Sequence, residues 1–400
     1  MATATISPMD GSEGSLLHLL NRLDGAGLSG LMPTLLDHLG ATVDAIGVRL
    51  LIADIEARQL EAREGLQAGE TPRSQAIEIQ GSVHGPVYLS GRAGSALIEG
   101  HPVVMVPVTA RRERQGVLEV TLGREVDADT LDTIETIGVL FGYLVTAGDL
   151  WTDEFHFARR RREMNLAAEI QWALLPLAAF ASHEVSVAGS LEPAYEVGGD
   201  AFDYACGDRT LTLGIFDSMG HGLTAARLSS LCVATFRNAR RAGRSIEEQA
   251  DRIHEVLSSR FQDEGYTTGL ILSVDLRAPE GTQIMNAGHE RPFLQRDGGR
   301  PEQVELRPDI PFGMPFDTER RMQPLPLKAG DRLTLFSDGI IGAQPDGGEM
   351  FGLDGLADLL EGLRDRPPRE AARVVTQVVR DHRAAHLQDD ATIVILDIPA

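Results

Sequence analysis

Residues 192–205 read EPAYEVGGDAFDYA, and residues 211–222 read LTLGIFDSMGHG. In each, glycines adjoin an aspartate that borders an apolar run, Asp200 in the first and Asp217 in the second. The pattern recurs at 332–342, where RLTLFSDGIIG runs into Asp338, and at 387–396, where Asp389 and Asp390 of LQDDATIVIL precede a strand-like run. An ionised carboxylate at the end of a buried strand is costly unless something compensates it. A single such aspartate is accounted for by a capped turn. Four such places in one segment point to a shared cation.

Carboxylate-rich ligation with no paired histidines, and with Cys206 and Cys232 as the sole cysteines, favours hard Mg2+ or Mn2+ over zinc or copper. Two such ions about 3.5–4 Å apart lower the pKa of a shared water and clamp a phosphoryl group for in-line attack. No P-loop, nucleophilic cysteine signature or GxSxG elbow competes. Metal-assisted hydrolysis of a phosphomonoester is the chemistry these residues suggest.

Around these aspartates the runs EVSVAGSLEP, RTLTLGIFD, TTGLILSVDL, GTQIMNAG, DRLTLFSD and ATIVILDI read as strands. Helical runs lie between them. Leu228, Cys232 and Phe236 repeat at four-residue spacing, Ser245 and Glu248 form a capping box, and PREAARVVTQVVRDH opens after a proline. Many strands around few helices predict two packed sheets flanked by helices over 178–400.

Four hundred residues predict more than one domain. After a poorly ordered start at 1–13, residues 14–148 alternate a helix (LSGLMPTLLDHLG), strands (AIGVRLLIA, QAIEIQG, HPVVMVPVTA, QGVLEVTLG) and a closing helix, an α+β unit. In the closing helix Leu131, Ile134, Ile137, Phe141, Leu144 and Gly148 recur at three- and four-residue spacing. Residues 149–177 predict one linker helix with Phe155, Arg162, Leu166, Ile170 and Leu174 on a stripe, and its four arginines, Arg159–Arg162, read as a solvated face. That apolar stripe suggests a homodimer.

The net charge of −22 disfavours nucleic acid and anionic lipid as partners. The most apolar run, IGVLFGYLVTAG at 137–148, reads as too short and too glycine-rich to span a bilayer, and no signal-peptide pattern opens the chain. A cytoplasmic protein without a membrane partner is the expectation.

Two families are suggested by the motifs. GGDAF is one letter from the GGDEF signature of diguanylate cyclases, but the acidic fourth position is Ala201, and upstream, where that family has its first metal-binding aspartate, stands the arginine run. That reading is set aside. EIQWALLPL, VGGDAFDYA, FDSMGHGLTAA, MNAGHERPFL, LFSDGIIG and DDATIVIL follow one another in the order of the SpoIIE-type branch of the metal-dependent protein phosphatases (PPM), which residues 165–398 resemble.

The resemblance implies an α-β-β-α sandwich, two Mn2+ or Mg2+ ions, and hydrolysis of phosphoserine or phosphothreonine on a regulatory partner, typically an anti-sigma-factor antagonist. Carried over by motif, Asp217 bridges the metals, Ser218 contributes its backbone carbonyl, Asp200 completes the outer metal, Asp338 binds the inner one, and Asp389 is the last ligand. Asp390 stands behind the ligands, and Asp203 braces Asp200 or closes its turn. Gly198, Gly199, Gly220, Gly222 and Gly339 allow close backbone approach. His221, Asn286 and His289 read as turn-forming hydrogen bonders, with contact to phosphate as the alternative. The family's acid three positions beyond Asp338–Gly339 is here Gly342. The order of elements at 14–148 resembles a GAF domain, which implies a sensor with a possible small-molecule ligand, acting through the linker. The alternative function is an idle scaffold that binds a phosphorylated partner.

Overall fold

The computed structural model describes residues 16–64, 76–192, 198–261, 265–316, 319–345, 347–383 and 390–399. The chain divides into two units, residues 1–161 and 162–400.

In the first unit, α1 (Leu16–Asp24) and α2 (Leu28–Val43) lead into β1 (Ala45–Ala53), β2 (Gln59–Glu64) and β3 (Ala76–Glu78). Then come α3 (Gly85–Ser90), β4 (Gly94–Ile98), β5 (His101–Ala110), β6 (Glu113–Leu122), α4 (Ala128–Gly148) and α5 (Glu154–Arg159). Among the described residues the strands form one antiparallel sheet, ordered β3-β2-β1-β6-β5-β4. Both faces are covered. Leu50, Ile52, Val106 and Leu118 meet Leu35, Leu39, Ile137 and Phe141 of the α2 and α4 layer. The alternate residues Leu51, Met105 and Val117 meet Val87 and Tyr88 of α3. The two-sided cover explains why β5 reads as a near-continuous apolar run.

The closing helix is longer than its apolar run suggests, and by length and composition alone α4 could cross a membrane. Its packing argues for the core of this unit. Asp127 caps it by accepting from the Thr130 amide at 2.8 Å. A Cβ at Gly142 would lie 2.1 Å from the Thr109 carbonyl oxygen, so only glycine lets the helix sit this close to β5.

On the α3 side a buried charge cluster interrupts the apolar face. His84 Nε2 lies 2.5 Å from Glu119 Oε2, and Arg49 Nε lies 3.4 Å from Glu119 Oε1. Burial pushes the Glu119 carboxyl up, but the His84 bond and the Arg49 charge outweigh it and hold it below its ordinary value. A carboxylate depressed in the folded state adds stability above its unfolded pKa and loses it as pH falls through the lower folded value. Glu119→Gln is therefore expected to cost about 1.5–3 kcal/mol near neutrality. It should also remove part of the acid sensitivity below about pH 4. Urea unfolding of both proteins at neutral and acid pH checks this.

The expected linker helix is interrupted. α5 ends at Arg159, Arg160 is extended, and a new helix, α6 (Leu166–Leu174), starts where the Asn165 side chain accepts from the Ala168 amide at 2.8 Å. Both helices keep the apolar stripe, which is why the break is hidden in the spacing. The arginine run is not simply solvated either. Arg159 pairs with Asp149 at 2.7 Å, and Arg161 pairs with Glu56 at 3.3 Å.

After α6 the second unit continues with β7 (Ala179–Ala181), β8 (Ser186–Glu192), β9 (Asp200–Cys206), β10 (Thr210–Ser218), α7 (Gly222–Arg241) and α8 (Ile246–Phe261). β11 (Thr267–Asp275), β12 (Gln283–Ala287), β13 (Phe293–Gln295), β14 (Glu302–Gln303), β15 (Gln323–Pro324) and β16 (Arg332–Phe336) follow. The unit closes with α9 (Asp338–Ile341), α10 (Gly352–Gly362), α11 (Pro368–His382) and β17 (Ala391–Asp397).

Among the described residues, one sheet is ordered β15-β12-β11-β10-β9 and the other β14-β13-β16-β17-β8-β7. Phe202, Leu213, Ile215 and Leu272 of the first meet Val187, Leu335, Val394 and Leu396 of the second between the sheets. α7 and α8 cover the outer face of the first sheet through Phe236, Ile253 and Leu257. α10 and α11 cover the second through Leu356, Leu360, Val375 and Val379. This is the expected α-β-β-α layering. The capping box at α8 is present, with the Ser245 amide donating to Glu248 at 2.8 Å and the Glu248 amide to Ser245 at 3.2 Å.

Candidate metal centre

Asp200 opens β9, Asp217 lies near the end of β10, and the two are register partners. Residues directly opposite on neighbouring strands share a face with Cβ atoms about 4.5–5.5 Å apart. Since Phe202 and Ile215 point between the sheets, Asp200 and Asp217 point there too. Asp200 is buried and Asp217 half-buried. Burial first, then the charges of Asp217 and Asp390, push the Asp200 carboxyl well above the usual carboxylate range.

The opposite sheet reaches this pair through Ser337 and Asp390. The Ser337 hydroxyl donates to Asp200 Oδ2 at 2.6 Å and accepts from the Thr392 amide at 2.9 Å. Asp390 Oδ2 accepts from the Gly199 amide at 2.9 Å, the Asp200 amide at 3.2 Å and Gln171 Nε2 at 2.7 Å. Gln171, fully buried on α6, also donates to the Asp200 carbonyl at 2.8 Å. One amide group thus ties α6 to both sheets.

Glycine makes two of these approaches possible. A Cβ on Gly199 would meet the Ser218 carbonyl oxygen at 2.8 Å, and one on Gly339 would meet the Asp390 carbonyl oxygen at 1.8 Å. Ser218 itself is buried, its amide donating to the Gly199 carbonyl at 3.2 Å and its hydroxyl 2.9 Å from Thr267 Oγ1. Gly220 has φ +89°, and the exposed His221 starts α7 without a side-chain cap bond.

Asp338 opens α9 directly after Ser337 and is exposed. Burial first, then the Asp338 charge, raises the Glu290 carboxyl. Arg383 donates to the Gly339 carbonyl, and its charge acts on Asp390. Asp389 lies outside the described residues. Among the described residues, no three acidic, histidine or cysteine side chains converge as a finished ion cage.

Asn286 and His289 form a turn clasp. Asn286 accepts from the His289 amide at 2.7 Å and donates to its carbonyl at 3.0 Å, while His289 Nδ1 lies 2.9 Å from Thr268 Oγ1. Burial lowers the His289 pKa to about 4. It is neutral near pH 7 and supplies no positive charge to an anion.

Asp203 neither braces Asp200 nor closes a turn. Three residues along the strand it faces the other side of the sheet, where it pairs with Arg237 and Arg240 of α7 at 2.7 and 2.8 Å. Asp203→Ala is expected to cost about 3–5 kcal/mol, because two arginines lose a buried partner. Mn2+ affinity should change far less than stability, since Asp203 lies on the face of the sheet opposite to the Asp200–Asp217 pair. Denaturant unfolding and Mn2+ titration separate the two effects.

Gln171 and Ser337 are not among the residues expected from sequence, although both lie inside the motifs EIQWALLPL and LFSDGIIG. A glutamine in the middle of an apolar helical stretch was the available signal for the first.

Two carboxylates forced together, one of them desolvated, need protons or a cation. The donors are all oxygen, and Gly199 leaves the Ser218 carbonyl room. The residues therefore fit a hard divalent cation. A family model described as Stage II sporulation protein E (SpoIIE) matches residues 207–399. That model covers just under half of the chain.

Among curated relatives, this chain is similar to Stage II sporulation protein E of Bacillus subtilis, 27% identical over 203 residues, covering 50% of this chain and 24% of that protein. The chain therefore spans about a quarter of that relative's length. Phosphoserine phosphatase RsbU of Bacillus subtilis is 21% identical over 238 residues, covering 59% of this chain and 70% of that one. A solved structure of the PP2C phosphatase domain and a regulatory fragment of Bacillus subtilis SpoIIE gives a TM-score of 0.48 at 18% identity, covering 80% of this chain and 83% of that one.

Proposed function

We propose that the chain is a metal-dependent protein serine/threonine phosphatase, acting on a phosphorylated regulatory protein of the anti-sigma-factor-antagonist class. The observation that carries the reading is the register pairing of Asp200 with Asp217 at a buried sheet edge, Asp217 lying inside the stretch that the SpoIIE family model matches and Asp200 a few residues before it. The similarity to RsbU, a phosphoserine phosphatase, supports the reaction.

In this reading Asp200, Asp217, Asp338 and Asp389, with the Ser218 carbonyl, hold two Mn2+ or Mg2+ ions. Bound there, such ions supply Lewis acidity, lowering the pKa of a water and polarising the phosphoryl group. The chain's own groups do the positioning. Ser337 fixes the Asp200 carboxylate by its hydroxyl, and Asp390 anchors the backbone of Gly199 and Asp200. Thr268, held by neutral His289, lies on β11 opposite Asp217.

The first unit serves in this reading as a GAF-like sensor in a cytoplasmic protein, acting through residues 149–177. Gln171 supports that regulation, since a shift of α6 withdraws one amide from both Asp200 and Asp390. Phosphate release from p-nitrophenyl phosphate and from a phosphoserine-bearing protein, with added Mn2+, tests the activity. No release above a metal-free control defeats the proposal.

A further inference from the structure

Asp217 has a register partner on each side: Asp200 on β9 and Thr268 on β11. Leu270 and Leu272 of β11 lie in the core between the sheets, so Thr268, two and four positions before them, turns its side chain to the same face. Its Cβ therefore stands about 4.5–5.5 Å from that of Asp217. Thr268 is half-buried, as Asp217 is.

What a threonine does at this place depends on where its one hydroxyl hydrogen goes. Two acceptors are in reach, His289 Nδ1 at 2.9 Å and the Asp217 carbonyl oxygen at 3.5 Å, which is too long to compete. His289 is 7% exposed, and burial keeps it neutral near pH 7, so its ring carries a single N–H. The Phe336 carbonyl acts on that ring by accepting, and raises its pKa by less than burial lowers it. With Nδ1 facing Thr268, Nε2 is the nitrogen left for this carbonyl. Nε2 has no close hydrogen-bond partner among the described residues, yet a hydrogen there is drawn to the carbonyl, where a lone pair would be repelled. Nδ1 is then the acceptor, and the Thr268 hydroxyl donates to it.

We propose that Thr268 is a further catalytic residue: its oxygen, left with lone pairs only, accepts a hydrogen from the attacking water beside Asp217 and so aims the water at phosphorus. His289 is the positioning residue that takes up the threonine's hydrogen. Its own backbone is fixed by the two bonds to Asn286, at a turn where Gly288 has φ +71°. The phosphoryl group is the poorer partner for Thr268, because its bare oxygens also offer only lone pairs. Phe336 precedes Ser337, which donates to Asp200, so the histidine joins the two sheets beside the carboxylate pair. The inference rests on the proposed activity and adds to it the group that orients the nucleophile.

Thr268→Val keeps the branched shape and removes the hydroxyl. It is expected to lower kcat for p-nitrophenyl phosphate by about 10- to 100-fold, the scale of a misdirected reactant. KM and the Mn2+ concentration for half-maximal activity should stay near the wild-type values, since the contact matters only as the reaction proceeds. Thr268→Ser, which restores the hydroxyl, should recover most of the rate. If circular dichroism shows that the valine variant is not folded, Thr268→Ala carries the same expectation. The hydrogen is located without turnover, by 15N NMR of the metal-free protein with labelled histidine, the His289 signals being those lost in His289→Gln. A protonated Nε2 and a bare Nδ1 are expected. A protonated Nδ1, a valine variant at full rate, or a serine variant as slow as valine overturns the inference and leaves the proposed function standing. A wild-type chain that releases no phosphate overturns both.

Discussion

Asp217→Asn is expected to lower Mn2+-dependent phosphate release by on the order of 10^3-fold, the scale seen when a principal electrostatic contact of a transition state is removed. The substitution keeps shape and takes away one charge. In the metal-free protein that charge is a liability, because Asp217 faces buried Asp200 across the strand pair and raises its carboxyl after burial has already done so. The variant should therefore be at least as stable without metal as the wild type, by roughly 0.5–2 kcal/mol. Activity lost while stability holds or rises marks a functional carboxylate. A structural one behaves as Asp203 is expected to, losing stability first. Assay of p-nitrophenyl phosphate hydrolysis, paired with urea unfolding in chelator, reads both quantities. Equal rates in the two proteins would remove the enzymatic reading.

Gln171→Ala should raise the Mn2+ concentration for half-maximal activity by about 10- to 100-fold, the usual effect of deleting a group that orients metal ligands. Its side-chain amide donates to the Asp200 carbonyl and to Asp390 Oδ2 from a fully buried position. Alanine leaves Asp390 with the Gly199 and Asp200 amides alone among these donors, so the backbone leading into Asp200 loosens. At saturating Mn2+ the rate should recover to near the wild-type value. Gln171→Glu should be worse than alanine, since it sets a second carboxylate against Asp390. An unchanged Mn2+ dependence in Gln171→Ala would separate α6 from the metal centre and leave the proposed coupling to the first unit without a carrier.

The sandwich was legible because strands such as TLTLGIFDS and ATIVILD are apolar on both faces, one side meeting the other sheet and one side meeting helices. β9 was not, although Asp200 sits in it. There the acidic residues fall on opposite faces, Asp200 between the sheets and Asp203 against α7, and a reading along one dimension takes their closeness in sequence for closeness in space. The break between α5 and α6 was hidden for a different reason: an extended residue and an Asn165 cap interrupt hydrogen bonds without disturbing the apolar stripe. Long-range partners leave no local mark at all. Arg161 finds Glu56 more than a hundred positions away, and Gln171 finds Asp390 still farther along the chain.

The aspartates at 200, 217 and 338 were singled out because glycine-marked aspartates bordering apolar runs recur within one segment, and their recurrence points to a shared cation. Their pairing was not readable: nothing in the letters says that Asp200 and Asp217 stand opposite each other in register.

An anomalous-difference map from crystals soaked in Mn2+ tests this pairing most directly, because it locates the ions independently of any assay. Two peaks are expected beside the Asp200 and Asp217 carboxylates, with Asp338 contributing to one of them. Peaks confined to surface carboxylates elsewhere, or none at this sheet edge, would contradict the account.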